Sequence, residues 1–377
     1  MTLPALSSPC SPPLLWPLPL TAPSRCAQEF LKQKYLEERD KRLDAQTAKG
    51  QEQYVSELAQ NEQWKHLLVD PYVEEKIERE PIQQEMEVLC IGAGFGGLLA
   101  AARCRMAGVE VCLMEKGAGV GGTWYWNQYP DAACDVVSAA LVSASACSPR
   151  RCRSPPCPAS QEGYSYMPLL EETDYMPERK YAKGPEILAH CDRILTKYDL
   201  HDKIFYQTVS TGCDWDEDTG RWTVTTDRGD RFTAKYVINS TGPLHKPKLA
   251  DISGMELFKG TYWHTSRWNW DFTGPQSEDE EQTLPGLHGL RVGIIGTGAS
   301  AVQVIPPMAK AAKHLYVFQR TPSSIDIRAD RPTDPERWAK DASEPGFAYR
   351  RRAYFDVSIP TPQNLTLSSS EPDLVRA

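Results

Sequence analysis

Apolar and polar positions follow two different periods along this chain, and the places where the period switches mark its elements. Val88 to Ile91 is a short apolar run followed by a glycine-rich turn; Leu98 to Met106 is a small-residue stretch of helical character; Val109 to Met114 is a second apolar run. Strand, turn, helix and strand in that order form a βαβ unit. Within Pro185–Tyr198, Ile187, Leu188, Cys191, Ile194 and Leu195 share one helical face. Trp222, Val224 and Thr226 alternate, Arg228-Gly229 reads as a turn, and Phe232 to Ile238 returns, which predicts a hairpin. A second βαβ start is expected at Arg291. From about Ser323 neither period recurs, and Arg350, Arg351 and Arg352 read as a solvated helix face.

The flanks have a different character. Residues 1–26 contain an apolar run, Leu14 to Leu20, broken by Pro17 and Pro19 and without a basic segment before it. The expectation is a disordered tail, with a poor signal peptide as the alternative. Residues 27–85 are charged and helix-prone, with Phe30, Tyr35 and Leu36 at loose helical spacing; they predict an amphipathic extension packed on the body, or less simply a partner-binding helix. Residues 137–163 are a low-complexity insertion rich in Ser, Ala, Pro and Arg. Its evenly spaced Cys147, Cys152 and Cys157 match no closed zinc pattern, so no metal is expected.

Composition narrows the class. A chain of 377 residues that is 41% hydrophobic supports two or three domains with real cores. A net charge of −8 argues against nucleic acid or an anionic membrane as partner. No apolar run approaches the roughly 20 residues of a membrane-spanning helix. The 11 cysteines are odd in number, and Cys90, Cys104 and Cys112 fall in predicted strands and helices. That is the pattern of free thiols in a reducing, cytoplasmic compartment.

Two glycine motifs carry the chemistry. Gly92-Ala93-Gly94-Phe95-Gly96-Gly97 follows a strand and opens a helix, the context a dinucleotide loop requires. Gly92 permits the tight turn, Gly94 a close pyrophosphate, and Gly97 tight helix–strand packing, while the helix N-terminus offers N–H groups to phosphate. Glu115 ends the next strand; a carboxylate there accepts ribose hydroxyls and repels a 2′-phosphate, which selects FAD or NAD. The second motif, Gly296-Thr297-Gly298-Ala299-Ser300-Ala301, follows Val292 to Ile295, and its second strand ends toward Arg320 and Thr321. A guanidinium there pairs with a 2′-phosphate, so this loop prefers NADP. An acid in one cradle and a base in the other imply two cofactors, most simply a flavin reduced by NADPH.

Around these loops the chain resembles the Baeyer–Villiger monooxygenases, a branch of the flavin-containing monooxygenases. Gly121-Gly122-Thr123-Trp124-Tyr125-Trp126-Asn127, then Tyr129-Pro130 and Cys134-Asp135, look like the family's flavin-cradling segment. Residues 258–269 match the fingerprint F-x-G-x-x-x-H-x-x-x-W-[P/D] at Phe258, Gly260, His264 and Trp268, with Asn269 departing at the last position. Tyr164-Ser165-Tyr166-Met167-Pro168 and the charged extension look like the longer, fungal-type members, which often oxidise cyclic or polycyclic ketones in secondary metabolism.

The resemblance implies an α/β fold of two Rossmann-like dinucleotide-binding domains, the NADP domain nested in the FAD domain, with an N-terminal helical extension. On this chain that means an FAD domain at 86–136 and 164–285, the start of an NADP domain at 286–330, and an incomplete C-terminal segment at 331–377. It implies that FAD and NADPH serve to insert one atom of O2 next to a ketone carbonyl, giving an ester or lactone. Thr123, Trp124, Trp126, Val136 and Tyr166 match flavin-contacting positions, and Thr297, Ser300, Gln303, Arg320 and Thr321 match NADP-contacting ones, beside the glycines and Ala301. His264 is expected to couple the domains. Asp135 matches an acid that orients an arginine, and that arginine is expected beyond this chain, because family members continue well past its last residue. The alternatives are an N- or S-oxygenating flavin enzyme, or a remnant that binds FAD or NADP without turnover.

Overall fold

The computed structural model describes parts of 29–41, then 62–135, 163–275, 283–320 and 325–350, apart from 74, 251, 326 and 327. The Pro-rich tail, the 137–163 insertion up to 162, and Arg351 and Arg352 lie outside the described residues. The chain divides into two compact units, 1–53 and 54–377. In the first, the described positions between 29 and 41 are helical.

The centre of the second unit is a six-stranded sheet built from β1 (Gln83–Ile91), β2 (Val111–Met114), β3 (Ile204–Phe205), β4 (Ser210–Asp216), β5 (Arg221–Thr226) and β6 (Arg231–Asn239), in the order β3-β2-β1-β6-β5-β4. β3, β2, β1 and β6 run parallel, and β5 and β4 add antiparallel. Val88, Leu89 and Cys90 are all buried, as a central strand covered on both faces requires. The predicted hairpin is β5–β6, turning at Gly229 (φ 78°). β4 has no counterpart in the sequence reading, because its residues are mostly exposed and polar.

Helix α1 (Phe95–Met106) buries Leu98, Ala101 and Ala102 against the sheet. α3 (Gly184–Lys197) follows α2 (Thr123–Trp126), and its buried Ile187, Cys191, Ile194 and Leu195 form the expected stripe, with Pro185 at the N-terminus where its missing N–H costs nothing. Together α1, α3 and the sheet enclose one core. The other face packs Met86, Leu89, Met114, Val224 and Phe232.

The second βαβ unit is β7 (Arg291–Ile295), α5 (Ala299–Ala311) and β8 (His314–Phe318), with β7 and β8 parallel. Its core holds Ile294, Ala301, Val304 and Met308, and it continues into Tyr129, Trp268, Leu284 and Leu287. α4 (Trp270–Thr273) precedes it, and α6 (Pro335–Ala342) follows, capped by the Asp334 carboxylate on the N–H groups of Glu336 and Arg337. The aperiodic tail thus contains a short helix made legible by its Asp-Pro start rather than by an apolar stripe. Among the described residues no helix is long and apolar enough to cross a membrane.

Candidate active site

The first glycine loop crosses the loop at 117–122. A Cβ on Gly122 would sit 2.9 Å from the Cα of Gly94, and one on Gly97 would sit 1.9 Å from the carbonyl oxygen of Gly92. Only glycine permits both approaches. The space left in front of the loop is a cavity of about 290 Å³, walled by Gly92, Gly94, Glu115, Thr123, Trp124, Trp126 and Tyr166 among others. Trp124 Nε1 donates to the Tyr166 hydroxyl at 3.4 Å.

Glu115 is 5% exposed. Burial pushes its carboxyl up, while the N–H groups of Gly117 and Ala93 pull the other way, bonding Oε1 at 2.8 Å and Oε2 at 2.7 Å. Each oxygen keeps a further lone pair for a hydroxyl.

Several residues of this wall were not read from the sequence. Ser240, Thr241 and Gly242 follow β6 directly, and ligands in open α/β sheets bind beyond strand carboxyl ends, which was the available signal. Lys116 and His245 line the same cavity. Burial, then the positive Lys246 and Arg267, hold Lys116 below the ordinary lysine range. Arg267 is buried at 8% exposure and stacks 4.8 Å over Trp126. It donates to the Trp126 carbonyl at 3.4 Å and to the His245 carbonyl at 3.1 Å, so it ties the fingerprint segment to the flavin-type segment.

The fingerprint itself divides in two. His264 accepts the Ser266 N–H at Nδ1 (3.2 Å), and burial, then Arg267, lower its pKa. Trp268 is buried and donates to Thr273 Oγ1 at 3.0 Å, within the cluster that holds α5. Asn269 caps α4 by accepting the Phe272 N–H at 3.0 Å. Phe258 and Gly260 are exposed, and the Phe258 ring covers the Cα of Gly260.

In the second loop Gly296 adopts φ 103° and Gly298 opens α5, and the space a Cβ would occupy at either is open. Thr297 Oγ1 accepts from Gln319 at 3.2 Å. Ser300 bonds the Tyr129 hydroxyl, and Ala301 is buried in the cluster with Trp268. Arg320 is exposed just past β8. Thr321 and Val136 lie outside the described residues.

Gln303 joins the two halves. Its amide nitrogen donates to the Ala133 carbonyl at 2.9 Å and to Asp135 Oδ2. The other carboxylate oxygen of Asp135 faces Arg328 Nη2 at 3.0 Å, a charged contact rather than an aligned hydrogen bond. Asp135 thus faces an arginine that lies within this chain. Arg328 lies in an aperiodic stretch, so only the folding of 328–333 onto 178–181 brings it to the acid. Nε and Nη2 of Arg328 are buried with no hydrogen-bond partner among the described residues.

Comparison with known proteins follows the same outline. Residues 90–149 match the NAD(P)-binding Rossmann-like domain family. Neopentalenolactone D synthase of Streptomyces avermitilis is 46% identical over 329 residues, 87% of this chain and 49% of the relative. A Baeyer-Villiger monooxygenase of Streptomyces coelicolor is 42% identical over 326 residues, 86% of this chain and 48% of the relative. The solved polycyclic ketone monooxygenase of Thermothelomyces thermophila superposes with a TM-score of 0.71 at 37% identity, covering 87% of this chain and 50% of that one. The chain spans about half the length of the curated relatives it matches. Over nearly nine-tenths of its length, in sequence and in fold, this chain is similar to about half of a Baeyer–Villiger monooxygenase.

Proposed function

We propose that this chain carries the FAD-binding fold and the opening of the NADP-binding fold of a monooxygenase that inserts one atom of O2 next to a ketone carbonyl, forming an ester or lactone. The observation that carries the proposal is the Asp135–Arg328 pair, tied by Gln303 to the second nucleotide fold. FAD supplies the activation of O2 when bound, and NADPH supplies its reduction.

The residues support each part. The turn at Gly92–Gly97 and the N-terminus of α1 meet a pyrophosphate, and Glu115 accepts ribose hydroxyls with its remaining lone pairs. Thr123, Trp124, Trp126 and Tyr166 wall the cavity. Asp135 orients Arg328 through Nη2, and the buried Nε, which has no hydrogen-bond partner among the described residues, is left to hold negative charge. Arg320, with Thr297, Ser300 and Thr321, receives the phosphorylated nicotinamide dinucleotide. The substrates in this reading are cyclic or polycyclic ketones of secondary metabolism, and the setting is a reducing cytoplasm. There Cys90 and Cys191, pushed up to about 12 by burial, stay inert thiols.

The test is visible absorption of the purified chain titrated with FAD and then NADPH, followed by product analysis with a cyclic ketone and a sulfide offered together in air. Flavin binding, bleaching by NADPH and ester or lactone formation are expected. Sulfoxide as the sole product assigns an S-oxygenating enzyme, and failure to bind flavin removes the oxygenase reading.

A further inference from the structure

The acid and the arginine lie far apart in sequence, and one extended stretch, 178–184, registers both. At its far end Cys134 N–H donates to the Ala182 carbonyl at 3.0 Å, Gly184 N–H donates to the Ala132 carbonyl at 2.7 Å, and Ala133 bridges Lys183. At its near end Lys180 N–H donates to the Arg331 carbonyl at 2.9 Å, Thr333 N–H donates to the Glu178 carbonyl at 2.8 Å, and Arg179 bridges Pro332. The loop with Asp135 and the loop with Arg328 are thus both hydrogen-bonded to the same short template.

Between Arg328 and the template stands a turn that does not hold itself. Ala329 has φ 47°, in the left-handed region that a residue with a Cβ disfavours. Such a conformation persists where its surroundings over-determine it. Asp330 supplies that constraint. Its Oδ2 accepts from Arg179 Nε at 2.8 Å and its Oδ1 accepts the Tyr181 N–H at 3.2 Å, with both charged side chains largely covered. The Arg328 guanidinium then lies 5.1 Å over the Tyr181 ring and reaches Asp135.

We propose that Asp330, clamped by Arg179 and the Tyr181 N–H, is the positioning residue that sets Arg328 against Asp135. The clamp forces Ala329 into its left-handed turn, and the turn aims the guanidinium. The significance of this device rests on the reading of Arg328 given above, but its test does not.

The experiment is site-resolved modification of arginines by a dicarbonyl reagent, read by peptide mass spectrometry on the full chain. Asp330→Asn keeps the shape and removes the charge; Arg179→Gln removes the other half of the clamp; Asp135→Asn serves as the reference for a released Arg328. Circular dichroism checks folding. In both clamp variants the rate at Arg328 is expected to rise about fivefold, the equivalent of losing about 1 kcal/mol of protection, with no change at exposed Arg350. Either folded variant suffices for the test. If Arg328 keeps its parental rate in the folded clamp variants while Asp135→Asn raises it, the proposal is overturned. Absence of oxygenase activity in a protein that gives the expected modification pattern removes the functional reading and leaves the clamp standing.

Discussion

Single atoms decide the first cradle. A methyl group on Gly97 would drive into the carbonyl of Gly92, and the turn and α1 have no soft side chain there to give way. Gly97→Ala is therefore expected to cost about 1–3 kcal/mol and to abolish tight flavin binding, seen as a lowered denaturation midpoint and loss of flavin absorbance after gel filtration. At the second cradle we propose that charge decides rather than shape. Arg320→Ala is expected to weaken NADPH binding by about 1.5–3 kcal/mol, the scale of a charged hydrogen bond, with NADH little affected; calorimetry with both dinucleotides checks it, and equal losses would refute the 2′-phosphate assignment. Gly97 was legible in the sequence, because a motif next to a strand states its own backbone demand, and Arg320 was singled out there by its charge just past a strand end. Arg328 was not, because nothing local distinguishes it from any other loop arginine.

Between elements, the segment before β1 is held to the sheet by one buried acid. Asp230 accepts both terminal nitrogens of Arg79 at 2.5 and 2.6 Å, the Ile82 N–H at 2.8 Å and the Thr226 hydroxyl at 2.8 Å. Burial alone would raise its pKa; the Arg79 guanidinium and these other donors outweigh that and hold it at about 2, below the ordinary 3.8. A depressed pKa gives stability that is fully present above the ordinary value and is lost as pH falls toward the folded one. Unfolding by urea is thus expected to become easier between pH 4 and pH 2. Asp230→Asn is expected to cost about 3 kcal/mol at pH 7 and to flatten that acid limb. The same neighbourhood explains why the described residues between 69 and 82 are largely irregular despite their helix-prone composition: Ile77 N–H, Ile82 N–H and the Ile77 carbonyl bond to Gln207, Asp230 and Arg228 instead of to one another. Composition sets helix propensity, but hydrogen bonds to a neighbouring sheet override it.

At the scale of the molecule, flavin binding should behave as a stability term of the 54–377 unit, since the cavity exists only where β1, α1, the 117–122 loop and the end of β6 meet. FAD at a hundredfold excess over its dissociation constant is expected to add about 2.7 kcal/mol, read as an upward shift in melting temperature that riboflavin, lacking the pyrophosphate, reproduces poorly. An equal shift with riboflavin would mean that the glycine loop is not the anchor. The sequence by itself determined the two βαβ units, the hairpin, the α3 stripe and the acid-against-base contrast of the cradles. Each of these is written in residues close together, where a period of two or 3.6, a glycine at a turn or a charge at a strand end imposes its own local geometry. Only the tertiary structure decided that Arg267 bridges two segments, that Gln303 joins the nucleotide folds, and that Arg328 meets Asp135. Those contacts arise when distant loops dock on a shared template, and burial and strand register across that template leave no periodic trace in the chain.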